Sequence, residues 1–242
     1  MDEIQNELGG KLSQTINGEE TVKWIHNIKI FAMTALKVSI YLFYGREKNM
    51  NYFITQFYKP NGKFGKFLGK MMSVFNKKMH KAVLSQIREA STILEIGYGA
   101  GTQLELIIKK YPKSQLYGID ISKDMYELAI KKIGKHAKLY VCNCEKTPFP
   151  DSCFDVIVTT DTCYFWDNPQ KVLEEVKRIL KPNGRLCIAY NSIYASAVHS
   201  SNSNCKLYDN KSILETLKSY GFRVILQKKC GFKQTLFITE FC

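Results

Sequence analysis

ILEIGYGAGT, residues 93–102, is the stretch of this sequence that decides its fold. Its apolar half ends at Ile96, and Gly97, Gly99 and Gly101 then lead into a segment with helical spacing of apolar residues. Glycines in such a turn let the backbone approach a ligand closely, and the N-terminus of the following helix supplies free N–H donors. The pattern therefore predicts a ligand-binding turn at the carboxyl end of the first strand of an open α/β sheet.

Outward from this turn, the chain alternates between strands and helices. Strands are predicted at Thr92–Ile96, Gln115–Ile119, Lys138–Cys142, Phe154–Thr159, Arg185–Tyr190, Phe222–Gln227 and Gln234–Phe241. Helices are predicted at Thr102–Lys110, Lys123–Ile133, Pro169–Leu180 and Lys211–Tyr220. This alternation is typical of a parallel sheet wrapped by helices, and the last two strands are close enough in sequence to be antiparallel.

Two classes of ligand use a glycine turn of this kind. Dinucleotide sites favour G-x-G-x-x-G, but the last glycine position of that pattern is occupied here by Thr102. Asp120 ends the second strand, where an acid can accept hydrogen bonds from ribose hydroxyls in either class. The glycine spacing thus disfavours an NAD(P) oxidoreductase. Asp120 alone does not distinguish a dinucleotide from another ligand that contains a ribose.

Counted from Glu95, the turn reads E-x-G-x-G-x-G, which resembles the first motif of class I S-adenosylmethionine-dependent methyltransferases. CNCEKTPFP at 142–150, FDVIV at 154–158 and EEVKRILKPNG at 174–184 are similar to later motifs of the same family. The resemblance covers about residues 58–242 and is nearest to the bacterial small-molecule group that includes ubiquinone/menaquinone methyltransferases. It implies a Rossmann-like, mostly parallel seven-stranded sheet with a reversed final hairpin, flanked by helices.

The resemblance also implies S-adenosylmethionine as the cofactor and a set of residues that bind it. The turn would hold the methionyl part, Asp120 the ribose, and the residues after the third strand the adenine. The implied cofactor-binding residues are Glu95, Gly97, Tyr98, Gly99, Gly101, Asp120, Ile121, Asn143, Cys144, Glu145, Thr160 and Asp161. Asn143 departs from the family's usual aspartate, although an amide oxygen can still accept from the adenine amino group.

No catalytic triad, carboxylate pair or metal cluster stands out in the sequence, and no metal is predicted. Methyl transfer from a sulfonium mainly requires alignment of the nucleophile, so this pattern agrees with the resemblance. If the acceptor must lose a proton, His80 and Tyr164 are the candidate bases.

The net charge of +13 favours anionic partners, and it is concentrated in residues 46–90, with ten basic and two acidic residues. Only five of the 35 basic residues are arginine, the usual choice for nucleic-acid contacts. The segment after the fourth strand, DTCY at 161–164, lacks the prolines of nucleobase methyltransferases. A small-molecule acceptor, acidic or membrane-associated, is therefore predicted. The alternatives are a nucleic-acid or ribosome methyltransferase and a catalytically silent cofactor-binding protein.

The chain is predicted to consist of an N-terminal helical extension, residues 1–49, and a methyltransferase domain, residues 50–242. Residues 24–45 are apolar but interrupted by lysines, which favours an amphipathic helix on the domain; peripheral membrane contact and a membrane span are the alternatives.

A loop is predicted over 60–70 and a helix over 71–90. Eight cysteines without CxxC spacing, and the absence of a secretory signal, predict reduced thiols in the cytoplasm. The oligomeric state is left open.

Overall fold

In the computed structural model, the part of the chain that can be described comprises Gln56 and residues 58–87, 91–201 and 205–241. The predictions for residues 1–49, including the helix at 24–45, lie outside these residues. None of the described helices is long and apolar enough to cross a membrane.

Seven strands form one sheet in the order β3-β2-β1-β4-β5-β7-β6. Their bounds are β1 Thr92–Ile96, β2 Gln115–Asp120, β3 Lys138–Val141, β4 Phe154–Thr160, β5 Leu180–Asn191, β6 Arg223–Gly231 and β7 Gln234–Glu240. The first five strands pair in parallel, and β7 runs antiparallel to both β5 and β6. The predicted mostly parallel sheet with a reversed final hairpin is thereby confirmed.

Seven α-helices accompany the sheet in the described part of the chain. They are α1 Gly62–Phe75, α2 Lys77–Leu84, α3 Thr102–Lys110, α4 Lys123–Ile133, α5 Pro169–Ile179, α6 Ser192–Ser201 and α7 Asn210–Ser219. The helix α6 has no counterpart among the predicted elements, and β5 begins five residues before its predicted start because Leu180 already pairs with Phe154 of β4.

The prediction of a loop over 60–70 is wrong, since α1 begins at Gly62. Two of the three glycines of this segment permit close packing rather than chain reversal. A Cβ on Gly65 would lie 2.8 Å from the Pro60 carbonyl carbon, and one on Gly69 would lie 2.8 Å from Met125 Sδ. The absence of side chains therefore brings α1 against its neighbours.

Two apolar clusters cover the faces of the sheet, because successive strand residues point to opposite sides. One cluster contains Leu94 and Ile157 with the buried faces of α5 and α7, and the other contains Ile93 and Val158 with those of α2, α3 and α4. The strand order reverses between β1 and β4. Open α/β sheets bind ligands outside the carboxyl ends of the strands at such a reversal.

Replacement of Ile157 by alanine tests the contribution of this core. Ile157 is fully buried in β4, so Ile157→Ala should lower the free energy of unfolding by about 2–5 kcal/mol. Ile225→Ala in the outer strand β6, where the side chain is 39% exposed, should cost less than about 1 kcal/mol. Urea unfolding of both variants measures the difference, and equal losses would contradict this packing.

Candidate functional site

The turn after β1 places three glycines in left-handed backbone conformations, with φ of +75° at Gly97, +51° at Gly99 and +75° at Gly101. The Gly97 N–H donates to the carbonyl of Ile119 on β2 at 2.8 Å. A Cβ on Gly97 would overlap the side chain of Thr162. The turn therefore lies directly against the segment that follows β4, and only glycine fits there.

Asp120, at the end of β2, is tied to this turn. One carboxylate oxygen accepts the Gly99 N–H at 2.9 Å, and the other accepts the Ser122 N–H, also at 2.9 Å. Burial raises the pKa of Asp120, while these two backbone donors oppose the increase. Ile121 follows Asp120 and lines the same cavity as the turn.

At the end of β1, Glu95 is buried beneath the turn. Burial raises the pKa of Glu95 well above its ordinary value, and the nearby Asp120 raises it further. The Leu104 N–H favours the ionised form, but Oε2 of Glu95 has no hydrogen-bond partner among the described residues.

Asp161 follows β4 with a φ of +55°, an uncommon conformation for a residue other than glycine. Its Oδ1 accepts the Asn191 N–H at 2.7 Å. Its Oδ2, the Tyr164 hydroxyl and Asn76 Oδ1 are buried without a hydrogen bond of good geometry in the described structure. Burial raises the pKa of Asp161 to about 7, although Tyr164 and Asn76 lie near enough to favour its charge.

His80 reaches the site from α2 and contacts Gln103, which is not among the predicted site residues. Its Nδ1 lies 2.6 Å from Oε1 of Gln103, which also accepts a hydrogen bond of 2.7 Å from the Thr160 hydroxyl. Burial lowers the pKa of His80, so its imidazole is neutral at pH 7.

The segment after β3 forms another wall of the cavity. Asn143 Oδ1 accepts the Glu145 N–H at 3.0 Å, and Glu145 Oε1 accepts the Asn168 N–H at 3.2 Å. Burial raises the pKa of the Cys144 thiol to about 12, which keeps it neutral. These bonds fix the backbone of the segment, in which Asn143 is exposed.

One cavity brings together most of the predicted site residues. Those that line it are Glu95, Gly97, Tyr98, Gly99, Asp120, Ile121, Asn143, Cys144, Glu145, Thr160, Asp161 and His80. Gly101 and Tyr164 are not among the lining residues: Gly101 packs against Ala129 and Ile133 of α4, and Tyr164 is 2% exposed in the core.

The cavity also collects buried polar atoms that have no partner in the described part of the chain. Of seven such side-chain atoms, five belong to lining residues: Asn76 Oδ1, Glu95 Oε2, Gln103 Nε2, Asp161 Oδ2 and Trp166 Nε1. An unpaired buried polar atom costs about 1–3 kcal/mol, so their concentration in one cavity marks a site built for a polar ligand. Acceptors and donors both occur, as the amino and carboxylate groups of an amino acid require.

The cavity is also lined by Gln103, Tyr58 and Asp167, which are not among the predicted site residues. The Tyr58 hydroxyl donates to Asp167 at 3.0 Å, although 109 positions separate the two in sequence. Gln103 carried one local signal, since it is a polar residue beside Leu104 and Ile107 in the first turns of α3. Within the part of the chain that the structure describes, no three or more His, Cys, Asp or Glu side chains lie together as potential metal ligands.

Comparisons with known proteins agree with this geometry. A family model described as a methyltransferase domain matches residues 94–188. The chain is 28% identical over 160 residues to the uncharacterized methyltransferase YdaC of Bacillus subtilis, covering 65% of this chain and 86% of that protein. It is 31% identical over 150 residues to an uncharacterized protein of Methanocaldococcus jannaschii, covering 58% of this chain and 69% of the relative.

A third relative is also a methyltransferase by name, and a solved structure has the same fold. The ubiquinone/menaquinone biosynthesis C-methyltransferase UbiE of Desulfotalea psychrophila is 34% identical over 104 residues, covering 43% of this chain and 42% of that enzyme. The crystal structure of a SAM-dependent methyltransferase from Aquifex aeolicus superposes with a TM-score of 0.59 at 24% identity, covering 67% of this chain and 89% of the other. With its sheet order and glycine turn, the chain belongs to the class I S-adenosylmethionine-dependent methyltransferases.

Proposed function

We propose that this chain transfers a methyl group from S-adenosylmethionine to a small molecule that is acidic or membrane-associated. One observation supports placing the cofactor in this cavity. Buried polar atoms that have no partner among the described residues line it, and it lies where the strand order reverses. The acceptor class is supported by the likeness to an enzyme of quinone biosynthesis and by the charge around the cavity.

In this proposal, three groups of residues around the cavity each bind one part of the cofactor. Asp120 binds the ribose hydroxyls, and Asn143 to Glu145 border the adenine. The turn with Gly97 and Gly99 lies under the methionyl part, together with Thr160 and Asp161. The acceptors Glu95 Oε2 and Asp161 Oδ2 fit an ammonium group, whose positive charge would favour the ionised form of both carboxyls.

The bound cofactor supplies an electrophilic methyl group on a sulfonium. The protein then has to orient the acceptor and keep water away from the reacting atoms. Trp166 and Phe165 line the cavity beside Asp161, where aromatic faces favour a cation. His80 is neutral and could accept a proton at Nε2, whereas the pKa of the buried Tyr164 is raised far above its ordinary value and disfavours it as a base.

Charge on the first two helices supports an anionic acceptor or surface. Residues 58–87 contain seven lysines and no acidic residue. Only one of the seven, Lys66, forms an ion pair within the described structure, with Asp124 and Glu127. The helix α1 also lines the cavity through Gly69, Met72 and Ser73. An acidic molecule approaching the cavity thus meets a positive field.

The same charge supports a second candidate, a nucleic-acid or ribosome methyltransferase. Against this candidate, all the basic residues of 58–87 are lysines. A lysine lacks the planar guanidinium group with which arginine forms two hydrogen bonds to one phosphate or guanine. A steep loss of RNA affinity between low and moderate salt would support this candidate, and no binding at low salt would remove it.

S-adenosylhomocysteine binding without methyl transfer to any extract component would instead favour a catalytically silent binding protein. A cytoplasmic location is part of the proposal.

Replacement of Asp120 by alanine should weaken cofactor binding. Asp120→Ala removes the proposed ribose acceptor and releases the Gly99 N–H, so the affinity for S-adenosylmethionine should fall by about 1–3 kcal/mol. Calorimetry measures the loss, with Asp151→Ala as the control because Asp151 is an exposed acid paired with Arg178. NAD should not bind to the wild-type protein. Unchanged S-adenosylmethionine affinity in Asp120→Ala would contradict the ribose assignment.

Cofactor affinity should rise with pH through the titration of Asp161. Its pKa is about 7, and the ammonium group of the ligand binds better to the ionised carboxylate, so binding releases a proton. Between pH 6 and pH 7.5 the affinity for S-adenosylhomocysteine should rise roughly tenfold.

Asp161→Asn is the matching variant for calorimetry across this range. It should bind more weakly and show a flatter profile, and any remaining slope would report Glu95 and Asp120, the other acids of the cavity whose pKa burial raises. The neighbours Cys163, Tyr194 and Cys230 do not interfere, because burial raises the pKa of each. A full tenfold rise in Asp161→Asn would contradict the assignment.

Exposed lysines on α1 should bind anionic membranes if the acceptor is membrane-associated. Lys63 and Lys70 flank Phe67, which is 59% exposed. The intact chain should float with vesicles that contain phosphatidylglycerol and not with neutral vesicles, and a Lys63→Glu/Lys70→Glu variant should float less. Lys211→Glu/Lys218→Glu on α7 makes the same charge change elsewhere and should not alter flotation. Failure of the intact chain to float would contradict a membrane-associated acceptor.

A further inference from the structure

Gln103 occupies a central place in the cavity wall. It lies in the first turn of α3, directly after the glycine turn, and is 1% exposed. Its side chain contacts two elements that are far apart in sequence, Thr160 at the end of β4 and His80 on α2. The amide thus joins three separate elements at the methionyl end of the proposed cofactor site.

Two hydrogen bonds fix the orientation of this amide. Oε1 accepts from the Thr160 hydroxyl at 2.7 Å and from His80 Nδ1 at 2.6 Å, which uses both of its lone pairs. A neutral imidazole carries one N–H, so donation from Nδ1 also fixes the His80 tautomer. With Oε1 held in this way, Nε2 is directed away from both partners.

Nε2 of Gln103 is a buried donor without a partner among the described residues. The same cavity contains three buried oxygens that can accept and have no partner there: Asn76 Oδ1, Glu95 Oε2 and Asp161 Oδ2. The acceptors suit an ammonium group and the amide donor suits a carboxylate. An α-amino acid group carries both charges on one carbon atom.

We propose that Gln103 Nε2 donates to the carboxylate at the amino acid end of the cofactor, with Thr160 and His80 as positioning residues that hold the amide. Thr160 and His80 act through Gln103 in this arrangement, because their hydrogen bonds keep Oε1 away from the negatively charged group. The inference rests on the cofactor placement proposed above.

The test compares two ligands by calorimetry: S-adenosylhomocysteine and its decarboxylated analogue, which keeps the amine. Gln103→Leu should bind S-adenosylhomocysteine about 10- to 100-fold more weakly than the wild type, the range for a hydrogen bond to a charged group. Its affinity for the analogue should stay within about twofold, since the amide has no carboxylate to bind in that ligand. Gln170→Leu, an exposed glutamine on α5, is the control and should change neither affinity.

Thr160→Val provides an independent variant, because it leaves Gln103 in place and removes only the hydroxyl that orients it. It should also weaken S-adenosylhomocysteine binding and spare the analogue, and thermal unfolding checks that each variant is folded. Equal weakening of both ligands in a folded variant would overturn the proposal, as would selective loss of the analogue, which would mean that the amide oxygen faces the amine. Failure of the wild type to bind either ligand would instead contradict the cofactor placement itself.

Discussion

The carboxylate of Asp120 is the point on which the site depends. It accepts one backbone N–H from Gly99 in the turn after β1 and another from Ser122, which itself caps α4. One side chain therefore holds together the ends of two neighbouring parallel strands and the helix that follows the second. Because the glycine turn has a left-handed backbone that other residues rarely adopt, this external support keeps its N–H groups in a defined place.

The cavity built on this support lowers the stability of the folded protein. Buried polar atoms without partners reduce stability, and most of those in the described structure line this single cavity. The two apolar clusters on the faces of the sheet supply the compensating stabilisation, with large side chains such as Phe154 and Phe237 fully buried. A ligand with matching polar groups would remove the penalty, which is a physical reason for selective binding.

The first helices belong to the site as much as the sheet does. The Ser122 hydroxyl donates to the Pro60 carbonyl, and the Gly62 N–H donates to Asp124, so the entry to α1 is fixed on α4 next to Asp120. Asn76 and His80 then face the cavity from the junction with α2. The outer side of the same helices carries exposed lysines. The same two helices, α1 and α2, thus carry the basic residues on their outer side and line the cavity on their inner side.

Local patterns in the sequence determined the strands, most helices, the glycine turn and Asp120, because period, capping and turn residues act over a few positions. Local patterns did not predict the helix that begins at Gly62, since glycines that allow close helix packing resemble loop glycines until the neighbouring helix is known. Only the tertiary structure brought Gln103 to His80 and Thr160, across 23 and 57 positions. It also decided that Tyr164 lies in the core and that Asp161 is buried. Burial and partnership depend on which elements pack together, and no local pattern encodes that.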